Sequence, residues 1–576
     1  MGNMNMHKKI MLLIASLAII INPIIAEQIE NYDSGKIRIE NIMSNEETGI
    51  SAFNKKNIQY AETRNLTDLD IPRIAEFLGC KTLIGQSFIA ETLKLPVNPA
   101  DKDSVLARRQ NAIKSLVDNP ELKKEVEQLL EIAKQEEQEV IKLMSEFFMG
   151  KTCPELKALE LIKQQNPKLF PFLEFMNVNP TAKTVGTACN MVGFAGSLVS
   201  TGILSKWTYM LVKANVQYGS AAFYTAYSGL ALGLYSYVLY TDYITGYEKR
   251  VKLHALNQLI TIAEKFEDLC TQYDIKNQFK MSDIKDTKGT QLVQDLKASR
   301  YQAKKSSFFM VPLVHTFLYK VYQQEKHLAE VFACIAEMDA YNAIATKIIE
   351  SRNEEKNKFC FATFVENEKP IIEAQSLWNV LVKDAVSSSI SENRHVILTG
   401  PNAGGKTVAI RALLQNILLA QSFGVAAARK FEITMFDAIH SYLNTSDDIS
   451  KGLSLFASEV KRAQEVLQKI KTLEPNHKFF FALDELFTGT NSEDGEACAY
   501  EFVKRIADFD GVQFIYATHF DKLKELGNEN VNCVNYKVNA PTKNSEGKLV
   551  YPYTLSQGAN ESRVALDIAR EANLFA

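Results

Sequence analysis

The sequence predicts an α/β P-loop domain at the C-terminus, preceded by an all-α region that contains an apolar helical hairpin suited to a membrane. Three observations carry that expectation. A glycine-rich turn, Gly400 to Thr407, lies between an apolar β-branched run (Val396 to Leu398) and a helical pattern that opens at Lys406. Beyond about Lys358, short apolar strands alternate with helices, as in an α/β domain. Two stretches of the helical half, Thr184 to Ser205 and Ala214 to Thr241, contain no Asp, Glu, Lys or Arg.

At 576 residues the chain is too long for one hydrophobic core, and two to four domains are expected. Its 46% hydrophobic and 23% charged residues are ordinary for a folded protein. The formal net charge of −3 gives no global basic field, so any contact with nucleic acid must come from a local patch. Eight cysteines are scattered without a C-x-x-C pair, which argues for free thiols and against a zinc site or a disulfide framework.

In chain order, residues 1–26 resemble a targeting segment. Lys8 and Lys9 precede an apolar run from Ile10 to Ile21, and a cleavage site is possible after Ala26. Ile24 is larger than the small residue preferred there, so an uncleaved anchor is the alternative. Residues 27–64 are polar and read as a linker. Residues 65–180 follow a helical pattern, and Pro120 starts its longest run, which reaches about Met149.

Residues 184–241 form the apolar section. Its second run carries Gly229 and Gly233 as a small-xxx-small face, tyrosines from Tyr235 to Tyr243, and then Lys249, Arg250 and Lys252. Two readings apply, a membrane hairpin and a buried hairpin in a large core. A two-span hairpin returns the chain to its starting side, which keeps the flanking domains together in the cytoplasm. A crossing by residues 1–26 would place them outside. Membrane association with a cytoplasm-facing nucleotide domain is therefore expected. Residues 242–358 are helical again and read as scaffold.

Residues 359–576 carry the chemistry. Gly400, Pro401, Asn402, Ala403, Gly404, Gly405, Lys406 and Thr407 spell G-x-x-x-x-G-K-T, whose backbone N–H groups converge on phosphate at a helix N-terminus. Lys406 would reach the β/γ-phosphates and Thr407 would ligate Mg²⁺. Phe479 to Asp484 is an apolar strand ending in two acids. Asp484 can hold the metal shell, and Glu485 can orient or deprotonate water. Phe514 to Thr518 is another apolar strand, followed by His519, placed to sense the γ-phosphate. The polar stretch from Ser446 through Gly452 and Ser454 to Glu459 leads into a helix and suits a second phosphate contact.

Together these motifs resemble the MutS family, the ABC-type ATPases of DNA mismatch repair and recombination. The loop, the Asp447-Asp448…Gly452-x-Ser454-x-Phe456 segment, the Asp484-Glu485…Gly489-Thr490…Asp494-Gly495 run and Ala517-Thr518-His519 occur in family order and spacing. Tyr553 to Gly558 and Ala565 to Ala569 resemble the end of its ATPase domain, and Gly85 to Leu122 resembles its core/lever domain.

The resemblance implies a homodimer with composite ATP sites. One subunit would supply the loop, Asp484, Glu485 and His519, and the other would supply the Ser454 loop. ATP turnover would move helical levers around DNA. The sequence departs from the family pattern in three ways. Only 64 residues precede the lever, so no mismatch-reading domain is expected. Neither a C-terminal dimerisation extension nor a nuclease domain is expected. The apolar section lies where DNA-clamping arms would grow. A second reading is therefore a membrane-tethered nucleotide switch that binds protein partners. A transporter ATPase is disfavoured because Gly452-Leu-Ser-Leu-Phe stands in place of a Leu-Ser-Gly-Gly signature.

Overall fold

The computed structural model of the chain describes residues 62–64, 69–148, 249–276, 328–401, 404–443, 455–471, 476–545, 548–562 and 564–571, with isolated positions besides. The chain divides into two compact units. One is Met1–Gly49, Leu129–Phe266 and Phe279–Ile335, and the other is Ile50–Gln128, Glu267–Gln278 and Ala336–Ala576.

The first elements are strand β1 (Glu62–Arg64) and helices α1 (Ile71–Leu78), α2 (Leu83–Lys94), α3 (Ala107–Asp118) and α4 (Pro120–Phe148), then α5 (249–272) and α6 (Ala329–Arg352). Each boundary has a local cause. Gly79 closes α1 in the left-handed region at φ 81°. Thr82 caps α2 by accepting the Gly85 N–H at 3.0 Å. Asn119 Oδ1 accepts the Glu121 and Leu122 N–H groups at 3.1 Å, and Pro120 follows it as the first helical residue of α4.

The remaining elements are β2 (Cys360–Phe361), β3 (Thr363–Phe364), β4 (Ile372–Leu377), β5 (Ser388–Glu392), β6 (His395–Thr399), α7 (Lys406–Phe423), β7 (Val425–Ala426), β8 (Lys430–Ile433) and β9 (Ala438–Tyr442). After them come α8 (Leu455–Lys471), β10 (Phe479–Asp484), α9 (Ser492–Ile506), β11 (Val512–Thr518), α10 (Asp521–Glu529) and β12 (Cys533–Val538). The last are β13 (Thr542–Lys543), β14 (Leu549–Val550), β15 (Leu555–Gln557) and α11 (Ala565–Glu571).

A seven-stranded sheet in the order β1-β9-β10-β11-β6-β12-β15 forms the centre of the larger unit. All described pairings in it are parallel except β12–β15. Phe479, Phe480, Phe481 and Phe514 are buried in β10 and β11, and each such ring contributes about 1.5–3 kcal/mol by leaving water. Ala463, Val466 and Ile470 of α8 and Ala499, Phe502 and Val503 of α9 pack with one face of these strands. β3, β8, β4 and β5 make a separate four-stranded sheet.

Two boundaries differ from the expected ones. The last three residues of the expected linker 27–64 form β1, which pairs in parallel with β9. Main-chain hydrogen bonds let an edge strand form without any apolar pattern to announce it. Of the described residues in the expected helical domain 65–180, those up to Gln128 group with the α/β domain.

Their anchor there is the far end of α7. The Val97 N–H donates to the Gln421 carbonyl at 2.8 Å, Arg109 donates to the Ser422 carbonyl at 2.7 Å, and Gln110 Nε2 donates to the Gly424 carbonyl at 2.7 Å. Buried Asp339 of α6 accepts the Lys81 N–H at 3.0 Å, the Thr82 N–H at 2.8 Å and the Thr82 hydroxyl at 2.7 Å, which joins α6 to the start of α2. The separation at 358/359 is thus one of sequence pattern, not of packing.

In the other unit, Val140, Ile141, Leu143 and Met144 of α4 and Leu259, Ile260, Ala263 and Phe266 of α5 are buried. Among the described residues no helix is long and apolar enough to cross a membrane. The expected hairpin 184–241 and the segment 1–26 lie outside the described residues. Cys360, Cys498 and Cys533 are free thiols, and burial pushes Cys360 and Cys533 up to about 12.

Candidate nucleotide site

Parallel strands place their C-terminal ends at one edge of a sheet, and loops from different strands meet there. β6, β10 and β11 end at that edge. The turn after β6 is closed by the Gly404 N–H donating to the Pro401 carbonyl at 3.0 Å. A Cβ on Gly404 would lie 2.9 Å from that same oxygen, so the turn excludes any side chain there. Gly405 enters α7 at φ 98°, where L residues are strained, and a Cβ on it would meet the Tyr553 ring at 3.2 Å. The first N–H groups of α7 point into this turn with the positive end of the helix dipole.

Lys406 is 6% exposed and folds back over the loop. Its Nζ donates to the Gly400 carbonyl at 3.2 Å and lies 3.3 Å from Glu485 Oε1. The Thr407 hydroxyl donates to Asp484 Oδ2 at 2.6 Å. Asp484 Oδ1 is buried with no hydrogen bond. Burial pushes the Asp484 carboxyl above its usual range, against the Thr407 hydrogen bond, and neighbouring Glu485 adds to the rise.

Glu485 follows β10 with its N–H donated to the Ala517 carbonyl at 3.0 Å and its backbone left-handed at φ 49°. Its side chain is 38% exposed, so water reaches it. His519 Nδ1 lies 3.9 Å from Glu485 Oε1. Contact with His519 and then the Lys406 ammonium holds the Glu485 carboxyl down at about 2, although partial burial opposes them. Two adjacent acids thus have opposite environments: Asp484 is buried and pushed up, and Glu485 is partly open and held ionised.

Residues 396–576, the stretch containing this site, match the sequence model of MutS domain V. Over this domain the chain is similar to the MutS family. It is 28% identical over 260 residues to the DNA mismatch repair protein MutS of Caldicellulosiruptor saccharolyticus, covering 44% of this chain and 29% of the relative. It is 30% identical over 196 residues to the DNA mismatch repair protein MutS of Streptococcus pyogenes serotype M5, covering 34% of this chain and 22% of the relative. The serotype M49 protein aligns with the same identity and extent. The chain therefore matches less than a third of the length of these relatives.

Within the matched stretch, Gly400, Pro401, Gly404, Gly405, Lys406, Thr407, Asp484, Glu485 and His519 lie together. Asn402, Ala403, Ser454 and the stretch from Ser446 to Gly452 lie outside the described residues. Tyr553 was legible only as part of the C-terminal resemblance, yet its ring lies over Gly405. Asn379 was not legible at all, and its Nδ2 donates to the Val408 carbonyl in the first turn of α7 at 3.2 Å. Asn560 ties the C-terminal segment to β6 through its N–H, which donates to Thr399 Oγ1 at 2.8 Å.

Proposed function

We propose that the chain is a Mg²⁺-dependent ATPase of the MutS type that acts as a homodimer on DNA and couples hydrolysis to a clamp motion of its helical levers. The observation that supports it most directly is Asp484, a buried carboxylate with one oxygen held by Thr407 and the other unpartnered. A buried oxygen left without a donor is costly unless a cation satisfies it, and a hydroxyl beside a carboxylate is a hard-oxygen donor set that fits Mg²⁺. The Gly400–Thr407 turn fits phosphate because a Cβ at Gly404 or Gly405 would fill it. Bound Mg²⁺ would supply charge neutralisation on the transferred phosphoryl oxygens.

The chain's own groups divide the remaining work. Lys406 binds phosphate as a cation. Glu485, ionised and reached by water, orients or deprotonates the attacking water, and His519 orients Glu485 and senses the phosphate. Ser454 of the second copy would close the composite site, with Asn402 and Ala403 completing the first.

The deciding experiment is steady-state ATPase of the purified chain with homoduplex, mismatched and branched DNA, run beside Glu485→Gln. The variant should bind ATP with wild-type affinity and lose turnover by about 10²- to 10⁴-fold, the usual share of a positioned general base. Wild-type kcat in the variant would remove Glu485 from the mechanism.

The charge-free run Ala214 to Thr241 favours a second reading, a membrane-tethered nucleotide switch with protein partners and a cytoplasm-facing ATPase domain. DNA binding that weakens steeply with salt supports the first reading, because phosphate contacts release counterions. Stable binding to bilayers without affinity for DNA supports the second.

A further inference from the structure

The loop after Glu485 is held by a carboxylate that the reaction above leaves unused. Glu459, in the second turn of α8, is fully buried. Its Oε1 accepts the Thr488 N–H at 3.2 Å and its Oε2 accepts the Gly489 N–H at 3.0 Å. The Thr488 hydroxyl lies 3.3 Å from Glu459 Oε1 and 3.2 Å from the Glu485 carbonyl oxygen, within donating distance of either. A Cβ on Gly489 would lie 2.7 Å from the Phe456 nitrogen, so the first turn of α8 rests directly on this loop. From the sheet side, the Tyr516 hydroxyl donates to the Leu486 carbonyl at 3.0 Å.

The loop so clamped is unusual in its backbone. Glu485 and Phe487, neither of them glycine, both lie in the left-handed region at φ 49° and 69°. Such conformations persist where surrounding contacts over-determine them, and they collect at functional sites. Here those contacts converge on one carboxylate. Its two oxygens receive two successive backbone N–H groups, and the hydroxyl it faces reaches back to the carbonyl of Glu485 itself.

We propose that Glu459 is the positioning residue for Glu485, fixing the Leu486–Gly489 loop so that the Glu485 carboxylate faces the site it shares with Lys406 and His519. This rests on the reading of Glu485 as the group that handles water. Glutamine cannot replace Glu459, because its amide would turn an NH₂ group toward one of the two backbone donors. Glu485 would then move with the loop, and misplacement of a catalytic group by about 1 Å can cost about 10²-fold in rate.

The test uses the full chain and separates kcat from KM. Glu459→Gln should lower kcat by about ten- to hundredfold and leave the KM for ATP and equilibrium ATP affinity within about twofold. Thr488→Val keeps the buried carboxylate and removes only the bridging hydroxyl. It should lower kcat by about three- to tenfold at unchanged KM, and Thr488→Ser should restore the rate. If Glu459→Gln does not fold, the Thr488 pair carries the test. Wild-type kcat in Thr488→Val, or parallel loss of ATP affinity and kcat in both variants, overturns the proposal. Glu485→Gln is measured alongside. Its inactivity beside a fully active Glu459→Gln sinks this inference alone, and its full activity sinks the reading of Glu485 as well.

Discussion

Thr407 and Asp484 are 77 residues apart in sequence and share a 2.6 Å hydrogen bond, with the second Asp484 oxygen buried and unsatisfied beside it. The burial that pushes this carboxyl up means that its charge opposes folding. Asp484→Asn keeps the shape and removes the charge. Its Tm without nucleotide should hold or rise. The extra Tm gained on adding Mg²⁺ and ATP should shrink, since stabilisation by a ligand follows its affinity. Differential scanning calorimetry with and without Mg²⁺-ATP measures both. A fall in the unliganded Tm would contradict the argument.

Gly405→Ala should be costly for a backbone reason. At φ 98° an L residue loses roughly 1–2 kcal/mol, and the new Cβ would meet the Tyr553 ring at 3.2 Å. Chemical denaturation should show that loss, with nucleotide affinity weakened as well. Tyr553→Ala in the same background should relieve the contact but not the strain, so recovery should be partial.

His519→Gln addresses the charge state of Glu485. In the wild type Glu485 is held at about 2, so it is ionised across the whole range in which the protein is assayed. Losing the His519 contact lets the Glu485 carboxyl rise toward ordinary carboxylate values, while Lys406 still restrains it. The acidic limb of kcat should therefore move to higher pH in His519→Gln, with reduced kcat at neutral pH. An acidic limb at the wild-type position would show that His519 does not govern Glu485.

His395 makes stability depend on pH. It is stacked on Phe514 at 4.3 Å between ring centroids, its Nε2 lies 3.2 Å from the Ala507 carbonyl, and burial lowers it to about 4. The unfolded chain binds that proton near pH 6.5, before the folded one does. Stability is therefore full above about pH 6.5 and falls as pH drops toward 4, by at most about 3 kcal/mol from this group. Urea midpoints at pH 7.5 and 5 should differ in that direction. Removing the ring nitrogens in His395→Phe should reduce the difference.

The legible part of the site is the part written in contiguous residues. Gly400 to Thr407 must be consecutive because one turn has to present successive N–H groups to one anion, and Asp484 and Glu485 must follow a strand because the strand end delivers them. Glu459 was visible only as the last residue of a polar stretch. Its role depends on Thr488 and Gly489, about 30 residues downstream, and no local pattern reports such a pairing. β1 was hidden for the related reason that an edge strand held by main-chain bonds needs no distinctive side chains.

By itself the sequence determined the α/β character of the C-terminal part, the glycine-rich turn between β6 and α7, the long helix from Pro120 and the family likeness. Those properties follow from period, turn chemistry and spacing along one strand of chain. Tertiary structure alone decided that the stretch from Thr92 to Gln110 is tied to the far end of α7, that Asp484 is buried while Glu485 is partly open, and that Glu459 holds the Thr488–Gly489 backbone. These depend on which distant groups exclude water from one another, and desolvation is a property of the packed molecule that the linear order does not carry.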